Sequence, residues 1–257
     1  MRYFGALTPS MVPSAGRVRV GLAGWSNPPS KKSERAPDQP HLSFYAEHFS
    51  CVEINSSFYR SHQQTTYARW SAETPEAFRF AVKMPRTVTH ESELKRCSAE
   101  IARFYDEIAG LQSKLGAVLV QLPPSLEFNK RTVRAFFKAL PRRRGVKVVC
   151  EPRHRSWFTP AAQSTLRDAG VSRVAADPPR FPGAEAPAGA SRFAYFRWHG
   201  SPRLYYSKYP QPQISAFAAL VNANKARETW CIFDNTALYA AWDDALAFMQ
   251  AVPAIAY

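Results

Sequence analysis

The chain has 257 residues and carries 34 lysines and arginines against 20 aspartates and glutamates, a net charge of +14, with a pI near 9.9. At 46% hydrophobic and 21% charged residues it has the composition of a globular protein with a full core, and no apolar run reaches the roughly 18–20 residues that a membrane span needs. The basic balance suits a phosphate-bearing partner, or a solvated surface of patches such as Pro141-Arg142-Arg143-Arg144 and Lys31-Lys32.

The opening stretch, MRYFGALTPSMVPSAG, lacks the apolar centre of a secretory signal, so residues 1–16 are expected to form a disordered leader. Residues 17–257 are expected to form one domain. Eight short apolar runs follow, at 18–25 (VRVGLAGW), 51–55 (CVEIN), 78–83 (FRFAVK), 117–121 (AVLVQ), 146–153 (VKVVCEPR), 171–177 (VSRVAAD), 195–199 (YFRWH) and 230–235 (WCIFDN). Helix-period segments separate most of them. Ile101, Tyr105, Ile108, Leu111 and Leu115 repeat at steps of three and four, as do Val133, Phe136, Phe137 and Leu140. Thr159 caps a helix that opens on Pro160 and stops before Gly170, and Ile214, Phe217, Leu220 and Val221 mark another. After Asp177 the stretch PPRFPGAEAPAGAS reads as a loop in place of a helix.

Strand–helix alternation through eight strands predicts an α/β fold, a (β/α)8 TIM-barrel-like architecture with an irregular unit after the sixth strand. An open doubly wound sheet is the rival, but no GxGxxG turn follows the first strand. Cys51, Cys97, Cys150 and Cys231 form no CxxC pair and three lie in apolar runs, which predicts a reducing, cytoplasmic setting without cysteine-held zinc.

Side chains alternate faces along a strand. Glu53 and Asn55 oppose Val52 and Ile54; Ala81 and Lys83 oppose Phe80 and Val82; Leu119 and Gln121 oppose Val118 and Val120. Val149, Glu151 and Arg153 oppose Val146 and Val148; Ala175 and Asp177 oppose Val174 and Ala176. Tyr195, Arg197 and His199 oppose Phe196 and Trp198, and Phe233 and Asn235 oppose Trp230 and Ile232. In each strand one class is apolar, as a helix-covered face should be. The other turns polar only near the C-terminal end, and in a barrel it points inward and rings the mouth where barrel active sites are built.

Glu53, Glu151 and Asp177 meet Lys83, Arg153 and Arg197 in that ring, with His199, Gln121 and Asn55 among them. A two-metal floor would need a surplus of carboxylates and imidazoles, so no cofactor is predicted. One divalent ion held by Glu151, Asp177 and His199 is the remaining metal arrangement. Glu53 and Glu151 suit acid–base work across the pocket. Lys83 reads as an electrophile, as a Schiff-base nucleophile if desolvated, or as a counter-ion to a glutamate. Arg153 and Arg197 read as anion clamps. A self-neutralising ion-pair network is the competing reading of the whole ring. Beyond the strand ends, Trp25, Tyr59, His90, His154, Trp157 and Tyr209 are candidate rim contacts. The loop GSPRLYYSKY interleaves basic residues with tyrosines, as either a lid or a base-stacking surface.

GWS (24–26), VEINSSFYR (52–60), FAVKMP (80–85), TH (89–90), QLPPS (121–125), EPRHRSW (151–157) and RWHG (197–200) fall in order along the chain. Together they strongly resemble the YecE-like family of bacterial proteins, a domain of unknown function. The resemblance covers roughly residues 17–250 and implies a TIM-barrel-like fold with these motifs gathered at one mouth. It implies no reaction. The chain departs from the family pattern at Asn235-Thr236, where an Asn-Asp or Asn-Asn pair would be expected.

The functional expectation is an enzyme, hydrolase or lyase, acting at the C-terminal mouth on an anionic, phosphate-bearing substrate. Glu53, Glu151, Lys83 and His199 would carry the chemistry. Asn55, Gln121, Arg153, His154, Asp177, Arg197, Tyr209, Asn235, Trp25, Tyr59, His90 and Trp157 would bind the substrate. The alternatives are a nucleic-acid-binding or nuclease-type barrel, and a small-ligand receptor without catalysis. No membrane partner is expected.

Overall fold

The computed structural model describes residues 17–252; the expected leader, 1–16, and the last five residues lie outside the described chain. Strands β1 (Arg17–Ala23), β2 (Cys51–Ile54), β3 (Arg79–Lys83), β4 (Leu115–Gln121) and β5 (Lys147–Glu151) pair in sequence order, all parallel. The sixth strand is split into β6 (Ser172–Arg173) and β7 (Ala175–Asp177), with Val174 between them. β6 pairs with β5, whereas β7 pairs with β9 (Phe193–Trp198), which runs beside β10 (Glu228–Phe233) and so back to β1. The Val174 amide donates to Cys150 O at 2.8 Å, so this one divided strand stands at both ends of the sheet and nearly closes the barrel.

Helices α1 (His41–Ala46), α2 (Gln64–Ala72), α3 (Ser98–Glu107), α4 (Lys130–Ala139), α5 (Pro160–Asp168), α6 (Gln211–Ala223) and α7 (Ala240–Ala251) surround the sheet. Thr159 caps α5 as expected, its hydroxyl accepting from the Ala162 amide at 3.3 Å. The unit after the sixth strand has a loop and a two-residue strand, β8 (Ala188–Gly189), antiparallel to β6. Beneath that loop Arg173 donates to the carbonyls of Gly183 and Ala186 and lies over the Phe158 ring. The apolar period through 101–115 spans three elements, not one helix: α3, a short 3-10 helix over Ile108–Lys114, and β4. α3 ends at Glu107, a turn with Gln112 at φ 51° breaks the helix, and Leu115 opens β4. Among the described residues no helix is long and apolar enough to cross a membrane.

The two faces of the sheet bury separate clusters. Val52, Ile54, Phe80, Val82, Val118, Val120, Val148, Phe196, Trp198 and Phe233 pack under the helices. Cys51, Ala81, Ala117, Leu119, Val149, Val174, Phe193, Tyr195, Trp230 and Ile232 fill the interior. Five strands thus have the expected parity, and two have the opposite one. In the sixth, Val174 points inward and Ala175 outward; in the eighth, Trp230 and Ile232 point inward and Phe233 outward. At the β3–β4 bulge the register skips Gly116, where a Cβ would lie 2.6 Å from the Trp230 ring. Arg19 plugs the lower end, donating to Ser50 O and Ala77 O at 3.1 and 2.9 Å and facing Glu228 at 3.4 Å.

Candidate functional site

Arg197 occupies the centre of the upper barrel end and is fully buried. It sits one residue from the end of β9, on the inward face, and its guanidinium gathers carboxylates from three other strand ends. Nε donates to Glu53 Oε2 at 3.0 Å and Nη2 to Glu53 Oε1 at 2.7 Å. Nη1 donates to Glu151 Oε2 at 2.5 Å, and Nη2 also reaches Asp234 Oδ2 at 2.8 Å. Three buried carboxylates around one point would be costly without a cation. A planar fork of fixed donors supplies that charge here.

Each carboxylate has a second support. The Tyr195 hydroxyl donates to Glu53 Oε2 at 2.8 Å, and Gln121 Nε2 donates to Glu151 Oε2 at 3.1 Å. Arg153 places Nε and Nη2 on Glu151 Oε1, at 3.2 and 3.1 Å. The His199 ring bridges the last two acids, with Nδ1 2.8 Å from Asp234 Oδ2 and Nε2 3.2 Å from Glu151 Oε1. Burial by itself would raise the Glu151 carboxyl, but Arg197, Arg153 and His199 hold it well below the usual carboxylate range. Asp234 is lowered in the same way, with burial opposed by Arg197 and His199. Burial would lower His199, yet Glu151 and Asp234 outweigh it and raise the imidazole, favouring the charged form.

Lys83 is the exception to this pairing. Its side chain is buried, and Nζ lies 4.2 Å from the centroid of the Phe58 ring. Among the described residues no carboxylate comes within ion-pair distance of it, so Lys83 is not paired directly with a glutamate. Burial first, and then Arg197, push the amine down to about 8, against the pull of Glu53, Glu151 and Asp234. His90 reaches the same wall from the wide turn Thr87–Glu91, its ring 4.9 Å from Phe58, and is lowered by burial and by the charges on Lys83 and Arg153. With His199 protonated, four cations (Arg153, Arg197, Lys83 and His199) face three carboxylates (Glu53, Glu151 and Asp234). The mouth has one positive charge to spare.

Several expected members of the ring lie elsewhere. Asp177 points away from the carboxylate cluster because β7 has the opposite parity; its Oδ1 accepts from the Tyr209 hydroxyl at 2.8 Å, and burial raises it. The trio of Glu151, Asp177 and His199 therefore does not converge, and among the described residues no three acid, His or Cys side chains are placed to hold a metal ion. Asn235 braces the loop instead, donating to Ser207 O at 2.9 Å and to the buried Asp244 at 2.7 Å. Trp157 is fully buried, with its indole N–H on Leu126 O at 2.9 Å, and belongs to the core. His154 accepts from the Ser156 amide at 3.3 Å and stands on the rim. Trp25 packs edge-on against Trp70, and Tyr59 is 74% exposed beside Phe58. Asn55 follows β2, with a buried Oδ1 that has no protein partner.

Strand alternation misses Asp234; it turns Tyr195 inward without singling it out, and Tyr205 lies in the loop expected to be a lid or stacking surface. Asp234 supplies the acid of the eighth strand, one position before Asn235, the residue that strand alternation points to. Tyr205 has φ 70°, its amide donates to His199 O at 2.5 Å, and its ring meets His199 edge-on at 5.8 Å. Its hydroxyl lies beside Arg153. The loop after β9 therefore folds back over the polar floor.

A family model described as "Protein of unknown function DUF72" matches residues 19–255. The chain belongs to the DUF72 family. DUF72 relatives include the UPF0759 protein YecE of Escherichia coli K12, 30% identical over 168 residues, which cover 62% of this chain and 59% of that protein. The UPF0759 protein YunF of Bacillus subtilis is 31% identical over 152 residues, 56% of this chain and 53% of YunF. The match thus spans less than two thirds of the length of either relative. Among solved DUF72 structures, one from Thermotoga maritima aligns with a TM-score of 0.77 at 25% identity, covering 91% of this chain and 98% of that one. Another from Enterococcus faecalis aligns at 0.75 and 23%, covering 93% and 96%, and bears out the barrel fold.

Proposed function

We propose that the C-terminal mouth is the active site of a hydrolase or lyase acting on an anionic, phosphate-bearing substrate. The observation that carries this reading is Lys83, a buried amine without a carboxylate partner, at the end of a strand in a ring that otherwise pairs its charges. A structural network would neutralise itself; a spare cation beside Arg153 and His90 is suited to neutralise a ligand. Glu151 and the His199 imidazolium between Glu151 and Asp234 are the acid–base pair. Glu53, enclosed by Arg197 and Tyr195, fits a positioning role better than proton transfer. Thermal-shift screening over phosphorylated metabolites, sugars and nucleotides should return ligands that stabilise the protein. Lys83→Met and Arg153→Ala should each abolish the shift. Hits that keep their full shift in both variants would move the site elsewhere.

A nucleic-acid ligand is the second reading. It is favoured by the half-exposed Tyr205 and Tyr206, by Arg203 stacked 3.9 Å from the Tyr206 centroid, and by the +14 charge. Binding to short single- and double-stranded DNA should then weaken steeply with salt. No binding at low salt would exclude it.

A further inference from the structure

We infer that Lys83 is a nucleophile that forms an imine with an aldehyde or ketone substrate. The inference rests on the mouth being the substrate site and narrows the substrate to a carbonyl compound. Two lysines are buried among the described residues, and they are held in opposite ways. Lys114 Nζ donates to Ser71 O and Thr74 O, each at 2.6 Å, so its ammonium protons are spent on fixed acceptors. Lys83 Nζ has no hydrogen bond to a protein group and lies over the face of Phe58, which accepts no conventional hydrogen bond and lets the amine turn toward a ligand. The fixed cation Arg197 stands close enough to oppose a second charge, and an apolar wall with a neighbouring cation is the environment that frees a lysine for carbonyl attack.

With Lys83 at about 8, about a tenth of it is free amine at neutral pH, against about one part in several thousand for an ordinary lysine. In the step itself the neutral Nζ forms a bond to the carbonyl carbon, and the π pair moves to oxygen. Both amine protons end on that oxygen, relayed through the His199 imidazolium or solvent, and it departs as water while the C=N bond forms. No electrons are gained or lost overall. Arg153 uses Nε and Nη2 on Glu151, and its outer edge, beside the Tyr205 hydroxyl, is where an anionic group on the same substrate would be held.

Incubation with pyruvate or glycolaldehyde phosphate and sodium cyanoborohydride at neutral pH, followed by peptide mass mapping, tests the inference. Hydride addition to the imine carbon fixes the adduct as a secondary amine. Lys83 should be labelled at least about tenfold faster than exposed lysines such as Lys95, in line with its larger free-amine fraction. Lys114 should stay unmodified, and Lys83→Arg should leave only surface background. Labelling of Lys83 no faster than Lys95 would overturn the inference. If Lys83 stays unlabelled while phosphorylated ligands still stabilise the protein through Arg153, the imine fails and the anionic site stands. If acetaldehyde labels Lys83 as fast as glycolaldehyde phosphate and inorganic phosphate gives no protection, the nucleophile stands and the anionic reading fails.

Discussion

Replacing Arg197 with methionine removes the one cation shared by three buried acids. The variant keeps a side chain of similar length, so packing changes little, but Glu53, Glu151 and Asp234 lose their central donor. Breaking a buried pair by deleting one partner costs ~3–5 kcal/mol. Arg153, His199 and Tyr195 still support the acids, which places the loss toward the lower end. For a chain of this size that corresponds to roughly 6–20 °C in Tm. The pH dependence is the sharper test. In the native protein Glu151 and Asp234 sit below their unfolded values, so they stabilise above about pH 4 and lose that contribution as pH falls through the folded values. Without Arg197 burial loses its largest opponent, with Arg153 and His199 left to offset it, so both carboxyls shift upward and the stabilisation from their ionised forms falls further behind the native protein's as pH rises. Urea unfolding at pH 5 and pH 8 should therefore show a larger deficit at pH 8, and adding Glu53→Gln should recover part of it. A loss under about 1 kcal/mol, or equal deficits at both pH values, would mean that Arg197 is not the keystone of the ring.

His199 is raised in the folded state, so its contribution is full below the unfolded value near 6.5 and fades as pH rises through the folded one. His199→Gln should accordingly cost more at pH 6 than at pH 9 in denaturant melts, and a reversed order would contradict the assigned charge. Asn235→Ala removes two bonds to the loop and its brace, at a cost of ~1–3 kcal/mol. Trypsin should then cut faster after Arg203 or Lys208; unchanged cleavage would show that the loop is held by other contacts. At Gly21 a Cβ would stand 2.0 Å from Cys51 O, so Gly21→Ala should force β1 from β2 and destabilise by ~1–3 kcal/mol or more, read from chemical denaturation. All four cysteines are buried and burial raises their thiols, so a thiol-specific disulfide reagent should react with none in the native protein and with all in denaturant. Rapid labelling of Cys150 in buffer would refute its place under the helices.

The sequence by itself determined the barrel, the irregular sixth unit and most of the ring. Strand alternation is a local property, and where one face turns polar while the other stays apolar it reveals which side chains converge. Glu53, Lys83, Gln121, Glu151, Arg197 and His199 were readable for that reason. It fails where both faces are apolar: Trp230, Cys231, Ile232 and Phe233 carry no parity signal, so alternation points to Asn235 while Asp234 supplies the acid. The sixth strand is short and divided at Val174, which turned Asp177 toward Tyr209 instead of the ring. Only the tertiary structure decided which charges meet, because pairing depends on strands far apart in the chain arriving at one height. Glu53 and Arg197 are 144 residues apart and share two hydrogen-bonded oxygens. That convergence takes every nearby carboxylate, and so leaves Lys83 without one.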